Sequence, residues 1–170
     1  AASVKEEDLI QNLYVLSSHV QILCFTTKGK VFWLKVYEIP VASRTSKGRP
    51  LVNMLNLDDD ERVSEILPVE EFSDDKFIFM ATRKGITKKT NLSLFARKWK
   101  SGIKAINLDE DDRLVGTAIT DGKKEILLAS SAGKLIRFNE TKVRAMGRTA
   151  RGVKGMKLKK DQRLISLNVA

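Results

Sequence analysis

The chain has 170 residues, 42% of them hydrophobic and 31% charged, with one cysteine and a formal net charge of +10 from 31 Lys and Arg against 21 Asp and Glu. That balance suits a packed core, rules out an intrachain disulfide, and draws the surface toward nucleic acid, anionic membrane or acidic protein. No apolar run approaches the ~20 residues of a membrane span and the N-terminus carries no signal-peptide pattern, so a cytoplasmic protein with no membrane partner is expected.

The predicted elements are short strands. Residues 1–20 hold one, Leu13–Leu16. Residues 21–70 hold Gln21–Thr26, Val31–Val36, Leu51–Leu55 and Val63–Val69. Residues 76–120 hold Phe77–Thr82, Ile86–Thr90, Ile103–Leu108 and Leu114–Ile119. Residues 125–170 hold Glu125–Ser130, Lys134–Phe138, Val153–Leu158 and Leu164–Val169. Each is apolar-rich or alternating, and most stop at Gly, Asp or Asn, which is β-periodicity. Lys28-Gly29, Lys84-Gly85 and Ala132-Gly133 read as hairpin turns, where glycine supplies a positive φ. Short helical turns are expected at Leu92–Phe95 and Glu140–Val143. Cys24 lies in the apolar run Ile22–Phe25 and reads as a small buried side chain.

The elements recur. Phe25-Thr26-Thr27-Lys28-Gly29-Lys30-Val31 is answered by Met80–Ile86 and by Leu128–Leu135. Arg44-Thr45-Ser46-Lys47-Gly48 returns as Arg148-Thr149-Ala150-Arg151-Gly152, and more loosely as Lys98–Gly102. An acidic turn closes each unit, and its arginines, Arg62, Arg113 and Arg163, stand 51 and 50 residues apart. A period of that size marks an array of small sheets. The segment Glu7–Val15 matches a unit's closing strand, Asp112–Gly116. The expected architecture is therefore a single all-β domain over residues 1–170: the last strand of a preceding blade, then three successive repeats. A ring takes roughly 4–8 blades, so the chain reads as part of a longer protein.

The repeated basic loops carry the chemistry. Strand-rich blades meet a polyanion with Lys, Arg and backbone N–H groups along a rim, which hold phosphates without reading sequence. Arg44, Lys47 and Arg49 surround Gly48, and Arg148, Arg151 and Lys154 surround Gly152 in the same pattern. Arg97, Lys98 and Lys100 flank Trp99 in the middle unit, and the hairpin tips add Lys28, Lys30, Arg83 and Lys84. Arginine forks onto phosphate, lysine offers a mobile charge, and glycine allows close approach. The acidic turns Asp58–Glu61 and Asp109–Asp112 read as solvated, on the face away from the polyanion. They lack the spacing and central glycine of an EF-hand. His19 is the single histidine, too few for a His-based metal cluster or a convincing Ser-His-Asp site, and no Walker motif is present. The chain itself therefore shows no catalytic centre, metal site or cofactor.

At Ile22–Phe25 with Lys28–Val31, at Lys35–Pro40, at Arg44–Asn53, at Val143–Thr149 and at Gly152–Gly155, the sequence resembles the C-terminal domain of the A subunit of DNA gyrase, a bacterial type IIA topoisomerase. The resemblance covers nearly all residues. It implies a β-pinwheel, a six-bladed propeller-like ring with strands exchanged between neighbouring blades, of which about three four-stranded antiparallel blades are expected here. It also implies sequence-nonspecific wrapping of double-stranded DNA, in support of ATP-dependent negative supercoiling by an A2B2 assembly with a second A subunit and the gyrase B subunit. ATP and Mg would serve only that holoenzyme, and the family's catalytic tyrosine lies in another domain. The family's basic heptad, Gln-Arg-Arg-Gly-Gly-Lys-Gly, is absent, and by register would end just before Ala1. The alternatives are the similar domain of topoisomerase IV and a propeller scaffold for acidic protein partners.

Overall fold

The computed structural model describes residues 20–35, 55–96 and 101–170. Those residues form β1 (Gln21–Thr26), β2 (Lys30–Lys35), β3 (Val63–Val69), β4 (Phe77–Thr82), β5 (Ile86–Asn91), β6 (Ile103–Lys104), β7 (Leu114–Thr120), β8 (Glu125–Ser130), β9 (Leu135–Asn139), β10 (Val153–Lys154) and β11 (Leu164–Val169). Two 3-10 turns, Leu92–Phe95 and Glu140–Lys142, follow β5 and β9. The expected strand Leu13–Leu16 and nearly all of Leu51–Leu55 lie outside the described residues.

The strands make three sheets, ordered β3-β1-β2-β6, β10-β5-β4-β7 and β11-β8-β9, with every pairing antiparallel. Each begins as a tight hairpin turned by a glycine in left-handed backbone, with φ of 79° at Gly29, 88° at Gly85 and 81° at Gly133. The outer strand of the first sheet, β6, follows the second sheet's hairpin in sequence. The outer strand of the second, β10, follows the third sheet's hairpin. Neighbouring units therefore exchange strands.

β1 and β4 are buried on both faces, which is why they read as continuous apolar runs. Along β4, Ile78 and Met80 pack with Leu23, Phe25 and Val31 of the first sheet. The alternate residues Phe79 and Ala81 pack with Ile126 and Leu128 of the third. One strand thus serves two cores, and each of its larger side chains, Ile78, Phe79 and Met80, contributes about 1.5–3 kcal/mol by leaving water. Phe95, in the turn after β5, meets Phe25 edge-on at 6.0 Å between centroids. Its carbonyl accepts a 2.7 Å hydrogen bond from Trp33 Nε1. Cys24 is buried, as expected.

Two expected strands are shorter than their pattern predicts. Ile103–Leu108 and Val153–Leu158 stop after two residues, at Lys104 and Lys154. The chain then leaves the sheet to cross the hairpin turn. Ala105 and Ile106 both donate to the Gly29 carbonyl, and Gly155 and Met156 both donate to the Gly85 carbonyl.

The 50-residue recurrence of Arg62, Arg113 and Arg163 has a backbone cause. Their carbonyls accept from Thr27, Arg83 and Ser131, each at 2.8 Å and each just before a hairpin turn. The acidic turns around them are not simply solvated, as the sequence suggested. Glu61 and Asp112 are buried. Glu61 accepts from the Thr26 hydroxyl and the Asp58 N–H, and Asp112 from the N–H groups of Lys84 and Arg113. These carboxylates clip turn to hairpin, because a buried polar group needs partners.

Candidate nucleic-acid interface

Strand exchange puts the basic segments on the outer edge. In β6, Lys104 lies opposite Lys30 of β2, and in β10 Lys154 lies opposite Ile86 of β5. Lys104, Arg151 and Lys154 are exposed, while Lys30 and Arg148 are half-buried. The loop before each edge strand presses onto the hairpin beneath it. A Cβ on Gly102 would stand 2.6 Å from the Phe32 ring, and one on Gly152 would stand 2.4 Å from the Thr87 carbonyl oxygen. Both glycines also have positive φ, 77° and 99°. Glycine is therefore required at both, for space and for backbone conformation.

The loop 147–152 is tied down at several points. Met146 N–H donates to the Lys89 carbonyl at 2.7 Å, and Ala150 accepts from Asn107 N–H at 3.1 Å. Lys88 is fully buried. Its Nζ donates to the Ala105 carbonyl at 2.7 Å and to the Arg148 carbonyl. Burial, and next the Arg148 charge, pull its ammonium down from 10.5 to about 7. Lys89 beside it is also buried, 3.8 Å from the buried Glu140 carboxylate and 4.8 Å above the Phe77 ring centroid.

The expected cations differ in what they meet. Arg151 forks onto Asp109, with Nε to Oδ1 and Nη2 to Oδ2 both 2.6 Å. The pairing raises the guanidinium and holds the Asp109 carboxyl below its usual range. Asp109 thus stands at the basic rim, which corrects the expectation that its turn faces away from it. At the hairpin tips Lys28 bridges Asp60 at 2.7 Å and Asp58 at 3.1 Å, and Asp60 is also 3.6 Å from Arg113. The Asp60 bond, then that to Asp58, raises the Lys28 ammonium, and Lys28 lowers Asp60. Arg83 and Lys84 are exposed and donate to the carbonyls of Asp111 and Glu110. With Lys160 and Arg163 they line an open cavity of about 350 Å³.

Lys30, Arg148, Arg151 and Lys154 therefore lie along or beside the edge strands, whereas Lys28, Arg83 and Lys84 gather at the tips with the acidic turns. Arg44, Lys47, Arg49, Arg97, Lys98, Trp99 and Lys100 lie outside the described residues. Sequence reasoning missed Lys104, although Gly102-Ile103-Lys104 repeats the pattern of Gly152-Val153-Lys154. It also missed Lys88, for which no local signal exists.

Small antiparallel sheets in series, the first two closed at the rim by a strand of the next unit, define a β-pinwheel. The model of the DNA gyrase C-terminal domain, a beta-propeller, matches residues 21–70, 76–121 and 124–170, and the chain belongs to that family. It is 50% identical to the DNA gyrase A protein of Salmonella typhimurium over 98% of its own length, but spans only 19% of that protein. Among solved structures it is similar to the C-terminal domain of DNA topoisomerase IV, with a TM-score of 0.83, 31% identity, and coverage of 91% of this chain and 48% of that one. The gyrase A C-terminal domain shares its fold, with a TM-score of 0.72 at 23% identity over 91% of this chain and 49% of that one.

Proposed function

We propose that the chain binds double-stranded DNA along its outer edge without reading sequence, as the DNA-wrapping part of a gyrase A protein. The observation that carries this is the pair of exchanged edge strands, each preceded by a basic, glycine-ended loop and each placing an exposed lysine, Lys104 or Lys154, on the rim. Edge cations on successive blades suit a duplex passing from one blade to the next. They hold phosphates and leave the bases unread. Identity of 50% to a gyrase A protein, against 31% to the topoisomerase IV domain, favours gyrase. In the whole protein the wrapped DNA would feed a strand-passage core, with a second A subunit and an ATP-hydrolysing B subunit, to introduce negative supercoils in a bacterial cytoplasm. Among the described residues no helix is long and apolar enough to cross a membrane.

The test is affinity for short and long duplexes across a salt series. A DNA-tracking rim binds more tightly as the duplex lengthens, and log affinity falls linearly with log salt. Weak binding that ignores duplex length refutes it and points to an acidic protein partner.

A further inference from the structure

We propose that Lys88 is a positioning residue for the DNA-binding rim, a buried amine that clamps the third unit's basic loop to the crossing segment of the second. The inference rests on the DNA-binding reading above.

Three observations lead to it. The Lys88 amine joins two backbone carbonyls from different places, Ala105 just after β6 and Arg148 within loop 147–152. Those segments belong to successive units, and they meet again where Asn107 N–H donates to Ala150 and where Arg151 forks onto Asp109. The clamp therefore stands beneath the loop that carries Arg148 and Arg151 and leads into β10 with Lys154. Second, Ala105 is itself buried, so its carbonyl has no water to replace the amine.

Third, the same slot is filled differently in the neighbouring hairpins. Lys88 is the third residue after the turn glycine Gly85, and the matching residues after Gly29 and Gly133 are Phe32 and Ile136. Phe32 packs under Gly102 as Lys88 packs under Gly152. A slot that takes phenylalanine or isoleucine elsewhere needs no amine to fill its volume. What the amine adds is two directed bonds, so its role is geometric. Its cost is desolvation, which an apolar side chain would not incur.

The clamp is tested in the intact protein with Lys88→Met, which keeps the stem and removes the donors. Amide hydrogen exchange across residues 147–152 reports the loop, thermal melting reports the fold, and DNA affinity across a salt series reports function. Loss of the bonds is expected to speed exchange in the loop by about fivefold or more. DNA affinity is expected to fall by a similar factor, while the melting temperature stays near that of the wild type. Lys88→Gln keeps two N–H donors without the charge, and its loop should exchange within about twofold of wild type. Unchanged loop exchange in a folded Lys88→Met protein overturns the clamp. So does a Lys88→Gln loop exchanging fivefold faster than wild type, which also decides the matter if Lys88→Met fails to fold. Faster loop exchange with DNA affinity untouched, both there and in Arg151→Gln, refutes DNA binding by this loop and with it the positioning role, while the clamp itself stands.

Discussion

Arg151 and Asp109 form a two-bond fork, both contacts 2.6 Å, between the basic loop of the third unit and the acidic turn of the second. The aspartate occupies the guanidinium edge that a phosphate would take. A bound duplex must therefore displace Asp109 or share Arg151 with it.

Asp109→Asn should accordingly strengthen DNA binding. An exposed ion pair is worth about 0–1 kcal/mol, so the gain is at most about fivefold. Freed of its partner, Arg151 should also steepen the dependence of log affinity on log salt. Equilibrium titrations at several salt concentrations check both effects, and an affinity unchanged from wild type would show that the duplex never reaches Arg151.

Edge and tip cations should behave differently. Removing one phosphate contact flattens the salt slope by about 0.9, which is the expectation for Lys104→Gln and for Lys154→Gln. Lys28→Gln should leave the slope alone, because Lys28 is engaged by Asp60 and Asp58 at the hairpin tip. A flattened slope in Lys28→Gln with none in the edge variants would move the footprint from the rim to the tip face.

The turn glycines allow a paired test of stability. Gly85 has φ +88° and an added Cβ would stand 2.4 Å from the Met156 carbonyl oxygen, whereas Gly133 has φ +81° and nothing within 4 Å. Gly133→Ala should cost about 1–2 kcal/mol, the strain of left-handed backbone alone. Gly85→Ala should cost about 3–4 kcal/mol, since the crossing segment must also shift. Urea unfolding of the two variants measures the difference, and equal costs would mean that the segment over Gly85 yields freely.

Stability should climb on the alkaline side. The Lys88 ammonium falls to about 7 in the folded protein from an ordinary 10.5. Between those values the unfolded chain holds a proton that the folded chain has given up, so raising the pH favours folding. Urea midpoints at about pH 7 and about pH 9 should rise in the wild type and rise less in Lys88→Met. On the acid side, Asp60 and Asp109 are held below 3.8, so their contribution is present above that value and is lost as the pH falls through their folded-state values.

The strands were legible because burial on both faces leaves a plain trace. Phe77-Ile78-Phe79-Met80 is an unbroken apolar run, and β4 lies where expected. The hairpin glycines were legible for a similar reason, since few residues accept their φ. What the chain order hides is contact across units. Nothing near Ala105 or Met156 announces that their N–H groups turn to Gly29 and Gly85, so the edge strands looked longer than they are. Lys88 and Lys89 carry no local sign of burial, because it depends on segments more than fifteen residues away, Ala105 and Glu140 among them. Glu61 and Asp112 were hidden inside acidic runs whose other members are exposed or half-buried.

The borrowed edge strands also impose a timetable on synthesis. The first sheet begins at Gln21 but cannot gain its outer strand until Lys104 has left the ribosome, and the second, begun at Phe77, waits for Lys154. At roughly 5–20 residues per second each sheet passes several seconds with one edge open. The first two units are thus each completed by their successor, and while either waits the nascent chain carries an unfinished sheet behind its growing end.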